Sequence, residues 1–337
     1  VDFVQWISLR ASARLCPPYS RRPPRGYDPC MADQTRNPFA LPGAEAPRAG
    51  LRDVNGCRLH TEVRGSGPTI LIIGAASDDA EMFRPIAERL TGFTVVTYDP
   101  RGTLRSSRDG WPCDSTRHAE DAAELLRTLG LGAETRADVF GSSAGGIVAL
   151  QLALRHPELV RRVTVFEPGY FQLTASGRAL ASRVGAQVDR HLAAHPGDWA
   201  GAMALVSGVA RVERPDDKQP GVTQPGARPS GLLAAPAGLE WYAARGEALA
   251  ENLIRGDLPV TGESVDLRAL ATSAADIRFA LGSASHPVFG EIARELTRVR
   301  RRPGSADPEE PDVIDGVGHV VCFAPEPVAE YIRRRCA

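Results

Sequence analysis

The chain has 337 residues, 43% of them apolar, which is enough to bury the core of one large domain with an insertion or of two ordinary domains. A formal net charge of −1 gives no reason to expect nucleic acid or an anionic membrane as partner. No apolar run approaches the ~20 residues that span a bilayer.

Lys218 is the only lysine among the basic residues. Cysteines at 16, 30, 57, 113, 322 and 336 form no CxxC pair and no His/Cys cluster of zinc-ligand spacing. Free thiols, no metal and no cofactor are therefore expected. The first residues lack the compact apolar segment of a secretory signal, so a cytoplasmic location is expected.

Residues 1–48 are rich in Pro and Arg, as in Arg21-Arg22-Pro23-Pro24-Arg25, and are expected to be disordered. Met31 reads as a natural start within that extension. Structure is expected from Leu51, where two alternating runs flank Asn55-Gly56, a strong hairpin signal. Thr69–Ile73 and Phe93–Tyr98 are apolar runs suited to buried parallel strands, with an amphipathic helix over 80–90 between them.

A helix follows over 119–129, then a strand at 138–140, a helix over 147–155 and a strand at 163–166. Later strands are expected at 277–281 and 313–314, with helices over 289–299 and 328–335. Strands alternating with helices give a doubly wound, mostly parallel sheet. The alternation stops over 169–272, where helical patterns at 179–192, 199–209 and 240–253 surround a Pro/Gly-rich loop over 214–231. These predict a helical cap inserted between two segments of the sheet domain, 49–168 and 273–337.

The segment Val139-Phe140-Gly141-Ser142-Ser143-Ala144-Gly145 joins a strand, a G-x-S-x-G and a helix without a spacer. So tight a reversal strains the central residue and leaves no room for side chains two positions to either side, which Gly141 and Gly145 supply. The turn would lift the Ser143 hydroxyl above the sheet beside the N–H groups of a helix start. A Gly/Ser-rich turn without chemistry is the bland alternative, and the preceding strands weigh against it.

Three linked motifs resemble the α/β-hydrolase superfamily, especially its bacterial cofactor-free hydrolases. They are this elbow, Tyr98-Asp99-Pro100-Arg101-Gly102 with Ser106, and the passage Arg155-His156-Pro157 to Val163. The resemblance implies an eight-stranded sheet and a Ser143 nucleophile. It puts one oxyanion donor at the Ala144 N–H and the other at Ala75 or Ala76, in a loop lacking the family's frequent His-Gly. It also identifies His319, in Gly316-Val317-Gly318-His319, as the base. Asp78 and Asp79, in the same loop region, read first as helix caps.

The family's usual acid after the seventh strand is missing, because Gly282-Ser283-Ala284-Ser285-His286-Pro287 holds no carboxylate. Glu167, after the sixth strand, is the first choice. Asp276, Asp315 and a Ser143–His319 dyad without an acid stay open. A serine nucleophile argues against the aspartate-dependent dehalogenases and epoxide hydrolases.

The expected activity is hydrolysis of an ester, lactone or thioester of a small to medium organic substrate. Reuse of the fold for non-hydrolytic biosynthetic chemistry, and non-catalytic ligand binding, are the alternatives. Tyr170, Phe171, Trp199, Trp241 and Tyr242 are candidates to line the substrate pocket or simply to pack the cap. Homo-oligomerisation is left open.

Overall fold

The computed structural model describes residues 37–209, 240–300 and 310–336. Eight strands form one sheet in the order β1-β2-β4-β3-β5-β6-β7-β8. They are β1 (Arg48–Val54), β2 (Cys57–Arg64), β3 (Thr69–Ile73), β4 (Thr94–Tyr98), β5 (Ala137–Ser142), β6 (Val160–Phe166), β7 (Asp276–Gly282) and β8 (Asp312–Ile314). β1 and β2 form the antiparallel hairpin around Asn55-Gly56, and β2 pairs antiparallel with β4. Every other pairing is parallel.

The alternation of side chains along each strand divides the core into two layers. Ile70 and Ile72 of β3, Val95 of β4 and Phe140 of β5 face helices α1 (Ala80–Arg89) and α10 (Pro325–Cys336). Leu71, Ile73, Val96 and Val139 face the other side, against α2 (Ser115–Thr128), α3 (Ala144–Arg155) and α9 (Pro287–Arg300). A sheet covered on both faces explains why its strands read as continuous apolar runs.

The expected disordered extension is drawn too long at its end. Residues 37–47 carry no strand, yet the Asn37 side chain donates to Glu81 O and accepts from Phe39 N. Leu41 N donates to Glu88 Oε2, and Phe39 packs on Phe323. Pro-rich composition hides such side-chain anchoring. The expectation for 1–36 falls outside the described residues, as does that for the loop over 214–231.

Two helices also begin earlier than their apolar periodicity suggests. α2 starts at Ser115 because Asp114 caps it, accepting from Arg117 N at 2.8 Å. α3 starts at Ala144, so its first turn is the glycine-rich segment that reads as a loop in sequence.

Between β6 and β7 lies a helical insertion. Its described parts are α4 (Ala175–Ala194), α5 (Trp199–Val209) and α6 (Glu240–Asn252), then a π-helical turn (Leu253–Asp257), α7 (Leu258–Thr261) and α8 (Leu267–Thr272). π turns are rare and gather at functional sites.

The Asp99–Ser106 motif is structural. Arg101 makes a buried two-pronged pair with Asp121, both contacts at 2.8 Å. Removing one partner of such a pair costs about 3–5 kcal/mol. Asp99 accepts from Ala80 N and from Arg105, which pins the start of α1 and the loop before it.

Candidate active site

The sheet order reverses between β3 and β5, and the crevice at such a switch point is where open α/β sheets bind ligands. β5 delivers Ser143 there. Its backbone, at φ 57° and ψ −123°, lies in a region that costs a side-chain-bearing residue about 1–3 kcal/mol. Ser143 N bonds Phe166 O at 3.0 Å, and Ser143 O accepts from Gly146 N at 2.9 Å, which fixes the elbow. A Cβ on Gly141 would meet Gly145 O and Ala149, and one on Gly145 would meet Ile73 O and Gly74 O. The two glycines are therefore demanded by packing as well as by the turn.

β6 delivers Glu167 one residue beyond its end. Glu167 is fully buried and also has a positive φ, of 45°. Its N–H continues the ladder to Ala280 O at 2.9 Å before the chain turns. The loop after β8 delivers His319.

These three side chains meet. His319 Nε2 lies 3.0 Å from Ser143 Oγ, and His319 Nδ1 lies 2.6 Å from Glu167 Oε2. A carboxylate only accepts, so Nδ1 carries the proton and Nε2 is left to accept from the serine hydroxyl. The second oxygen, Glu167 Oε1, accepts from Gly282 N at 2.8 Å. The end of β7, which carries no acid of its own, thus supplies a backbone donor that orients one from β6. The His319 ring stacks on Phe289, with centroids 4.1 Å apart and planes 7° from parallel. Bond and stack together leave the imidazole one orientation.

The other acids considered stand elsewhere. Asp276 opens β7 at the far end of the strand and pairs with Arg335 and Arg162. Asp315 accepts from Ser283 Oγ at 2.9 Å.

Of the oxyanion-hole candidates, Ala144 begins α3 directly after Ser143. Ala76 N–H donates to Asp257 Oδ1 at 2.7 Å, and Ser77 N donates to Asp257 Oδ2 at 2.9 Å. Ala75 N donates to Asp78 Oδ2 at 3.0 Å. Backbone donors lying side by side in sequence are equivalent until tertiary structure assigns their partners. Asp79 caps α1 by accepting from Met82 N at 3.1 Å and pairs with Arg245 of α6.

A cavity of about 100 Å³ opens onto Ser143 and His319. Its wall is mainly apolar, including Met82, Phe83, Leu249, Leu253 and Val321, with Asp78 and Asp257 as its acids. Of the five insertion aromatics, Phe171 and Tyr242 line it. Tyr170 and Trp241 are buried in the packing, and Trp199 packs against the core from a partly buried position. Burial, and then the nearby Asp257, lifts the Asp78 carboxyl to about 7. Burial lifts Asp257 to about 6, against the bonds from Ser77 and Ala76. Sequence reasoning missed Asp257 altogether, since it belongs to an irregular turn 181 residues from Ala76.

Sheet order, elbow and the His319 loop together define the α/β-hydrolase fold. A family model described as alpha/beta hydrolase fold matches residues 68–223. The chain has the α/β-hydrolase fold.

It is 40% identical over 129 residues to the uncharacterized hydrolase YraK of Bacillus subtilis, covering 37% of this chain and 46% of that protein. It is 38% identical over 108 residues to the putative carbamate hydrolase RutD of Azorhizobium caulinodans, covering 32% and 40%. Each match spans less than half of the relative's length. The structure of an alpha/beta hydrolase from Sphaerobacter thermophilus superposes with a TM-score of 0.60 at 23% identity, over 86% of this chain and 100% of that one. Among the described residues no helix is long and apolar enough to cross a membrane.

Proposed function

We propose that this chain is a serine hydrolase cleaving a carboxylic ester, lactone or thioester of a small to medium organic molecule, with Ser143, His319 and Glu167 as its catalytic triad. The observation that carries this reading is the unbroken hydrogen-bond line from Ser143 Oγ through His319 to Glu167, at 3.0 and 2.6 Å. A free serine hydroxyl is a weak nucleophile, and a neutral imidazole held in this tautomer is the group that activates it.

In this mechanism Ser143 Oγ attacks the substrate carbonyl carbon while its proton passes to His319 Nε2. Glu167 stabilises the imidazolium that forms. The Ala144 N–H, with Ala75 N–H as second donor, holds the oxyanion. Collapse expels the alcohol or thiol, which takes the proton from His319. Water then attacks the acyl-enzyme by the same route in reverse, releasing the acid and restoring Ser143.

An acid beside His319 supports hydrolysis over a non-hydrolytic reuse of the fold, which drew its main argument from the acid missing after β7. The apolar wall of the cavity favours an acyl or leaving group of low polarity. Labelling by a fluorophosphonate, with the adduct mapped to Ser143, and turnover of p-nitrophenyl esters test the reading together. An enzyme that neither labels nor turns over would sink it.

A further inference from the structure

Three successive backbone N–H groups at the end of β3 all terminate on carboxyl groups: Ala75 on Asp78, and Ala76 and Ser77 on Asp257. Consecutive N–H groups arranged in this way form an anion-binding nest. In a serine hydrolase such donors are wanted by the oxygen of the tetrahedral intermediate. Here the protein's own acids hold them.

The two acids differ in kind. Asp257 is buried at 4% exposure, with each oxygen engaged by one N–H, and is a fixed part of the wall. Asp78 is only partly buried, lines the cavity shared with Ser143 and His319, and holds a single N–H through Oδ2. No Lys or Arg among the described residues stands within ion-pair distance of it. The titratable groups facing it are Asp257 from the π turn, Asp79 from the start of α1, His319 and Cys322 from the segment after β8, and Tyr242 from α6.

On the serine-hydrolase reading given above, we propose that Asp78 gates the oxyanion hole: as a carboxylate it keeps the Ala75 N–H for itself, and as a neutral acid it yields that N–H to the substrate oxygen. No bond is made or broken in the switch beyond loss or gain of the Asp78 proton to solvent. The carboxylate closes the hole in two ways. Its bond from Ala75 becomes charge-assisted, roughly twice as strong as a neutral one. Its negative charge also opposes the charge that develops on the substrate, in surroundings of low dielectric. The neutral acid does neither. Because burial and Asp257 hold this carboxyl at about 7, the gate operates in the neutral range.

The sign follows directly. Activity requires protonated Asp78 and is therefore lost as pH rises through about 7. The test is the pH profile of kcat/KM on an uncharged p-nitrophenyl ester. Wild type should decline on the alkaline side. Asp78→Asn, neutral at every pH, should lose that decline and exceed wild type by about tenfold one unit above the midpoint.

Asp78→Ala, which removes the acceptor outright, should give the same flat alkaline side and guards against a peculiarity of the amide. Profiles of both variants that run parallel to wild type, while Ser143 still labels with fluorophosphonate, would overturn the gate. Absence of labelling and turnover in wild type would remove the serine-hydrolase reading, and the gate with it.

Discussion

Glu167 reaches His319 from the end of β6, and its other oxygen is held by the N–H of Gly282 at the end of β7. The acid and the residue that orients it thus sit on neighbouring parallel strands, in register at Phe166 and Ala280. This pairing makes the position of the acid a property of the sheet rather than of a loop.

The consequence for activity is a specific ranking. Glu167→Gln should keep the shape of the site but release the tautomer of His319, lowering kcat by roughly 10⁴. Ser143→Ala should lower it by roughly 10⁶. Asp276→Asn and Asp315→Asn, whose partners lie away from His319, should leave kcat within a factor of about two to three. Steady-state kinetics of the four variants on one ester checks the order. Equal losses in Glu167→Gln and Asp315→Asn would mean that the acid is misassigned.

Gly145→Ala tests the packing of the elbow. The added methyl meets the carbonyl oxygens of Ile73 and Gly74, which are backbone atoms at the root of the Ala75 loop. The loop must shift, and a displacement near 1 Å in an active site can cost about 10²-fold in rate. A comparable loss in kcat, with a lowered thermal midpoint, is expected. Full activity would show that the loop has slack.

The stack of Phe289 on His319 also admits a direct test. Phe289 is 1% exposed, so Phe289→Ala should destabilise the fold by about 3–5 kcal/mol as well as loosen the ring. Phe289→Leu keeps most of the volume and isolates the second effect. Its kcat should fall while its denaturant midpoint moves little. A fall in stability without a fall in kcat would confine Phe289 to packing.

Asp78 has a stability signature of its own. A carboxyl raised in the folded state binds its proton more tightly folded than unfolded. The stability it contributes is complete below the ordinary carboxylate range and is lost as pH rises through about 7. Asp78→Asn, which does not titrate, should therefore gain thermal midpoint relative to wild type at pH 8 and gain less at pH 5. Equal differences at the two pH values would argue that Asp78 titrates normally.

Much of this was legible in the chain. β3, β4 and β5 announce themselves because a strand buried on both faces must be apolar throughout, as Thr69–Ile73 shows. Ser143 was legible because only glycine fits beside so tight a turn. Glu167 was legible as one acid among several, since sequence shows where a carboxylate stands along the chain but not what it faces. Its positive φ, shared with Ser143, appears only in the backbone. Asp257 went unseen because its hydrogen bond to Ala76 joins residues 181 positions apart, and neither segment carries a periodic pattern.

That same bond ties the insertion to the loop beside Ser143. Asn252 donates to Gly102 O and Thr103 Oγ1, Thr103 donates to Ala76 O, and Asp257 receives Ala76 and Ser77. An insertion joined to the Ala75 loop by so many hands cannot be exchanged as a module. Grafting the insertion of a relative to change which molecules are accepted would also detune the reaction itself, unless the graft brought its own equivalents of Asn252 and Asp257. Redesign of selectivity in this protein has to proceed from the cavity wall, at positions such as Phe171, Met203 and Leu249, and leave the π turn alone.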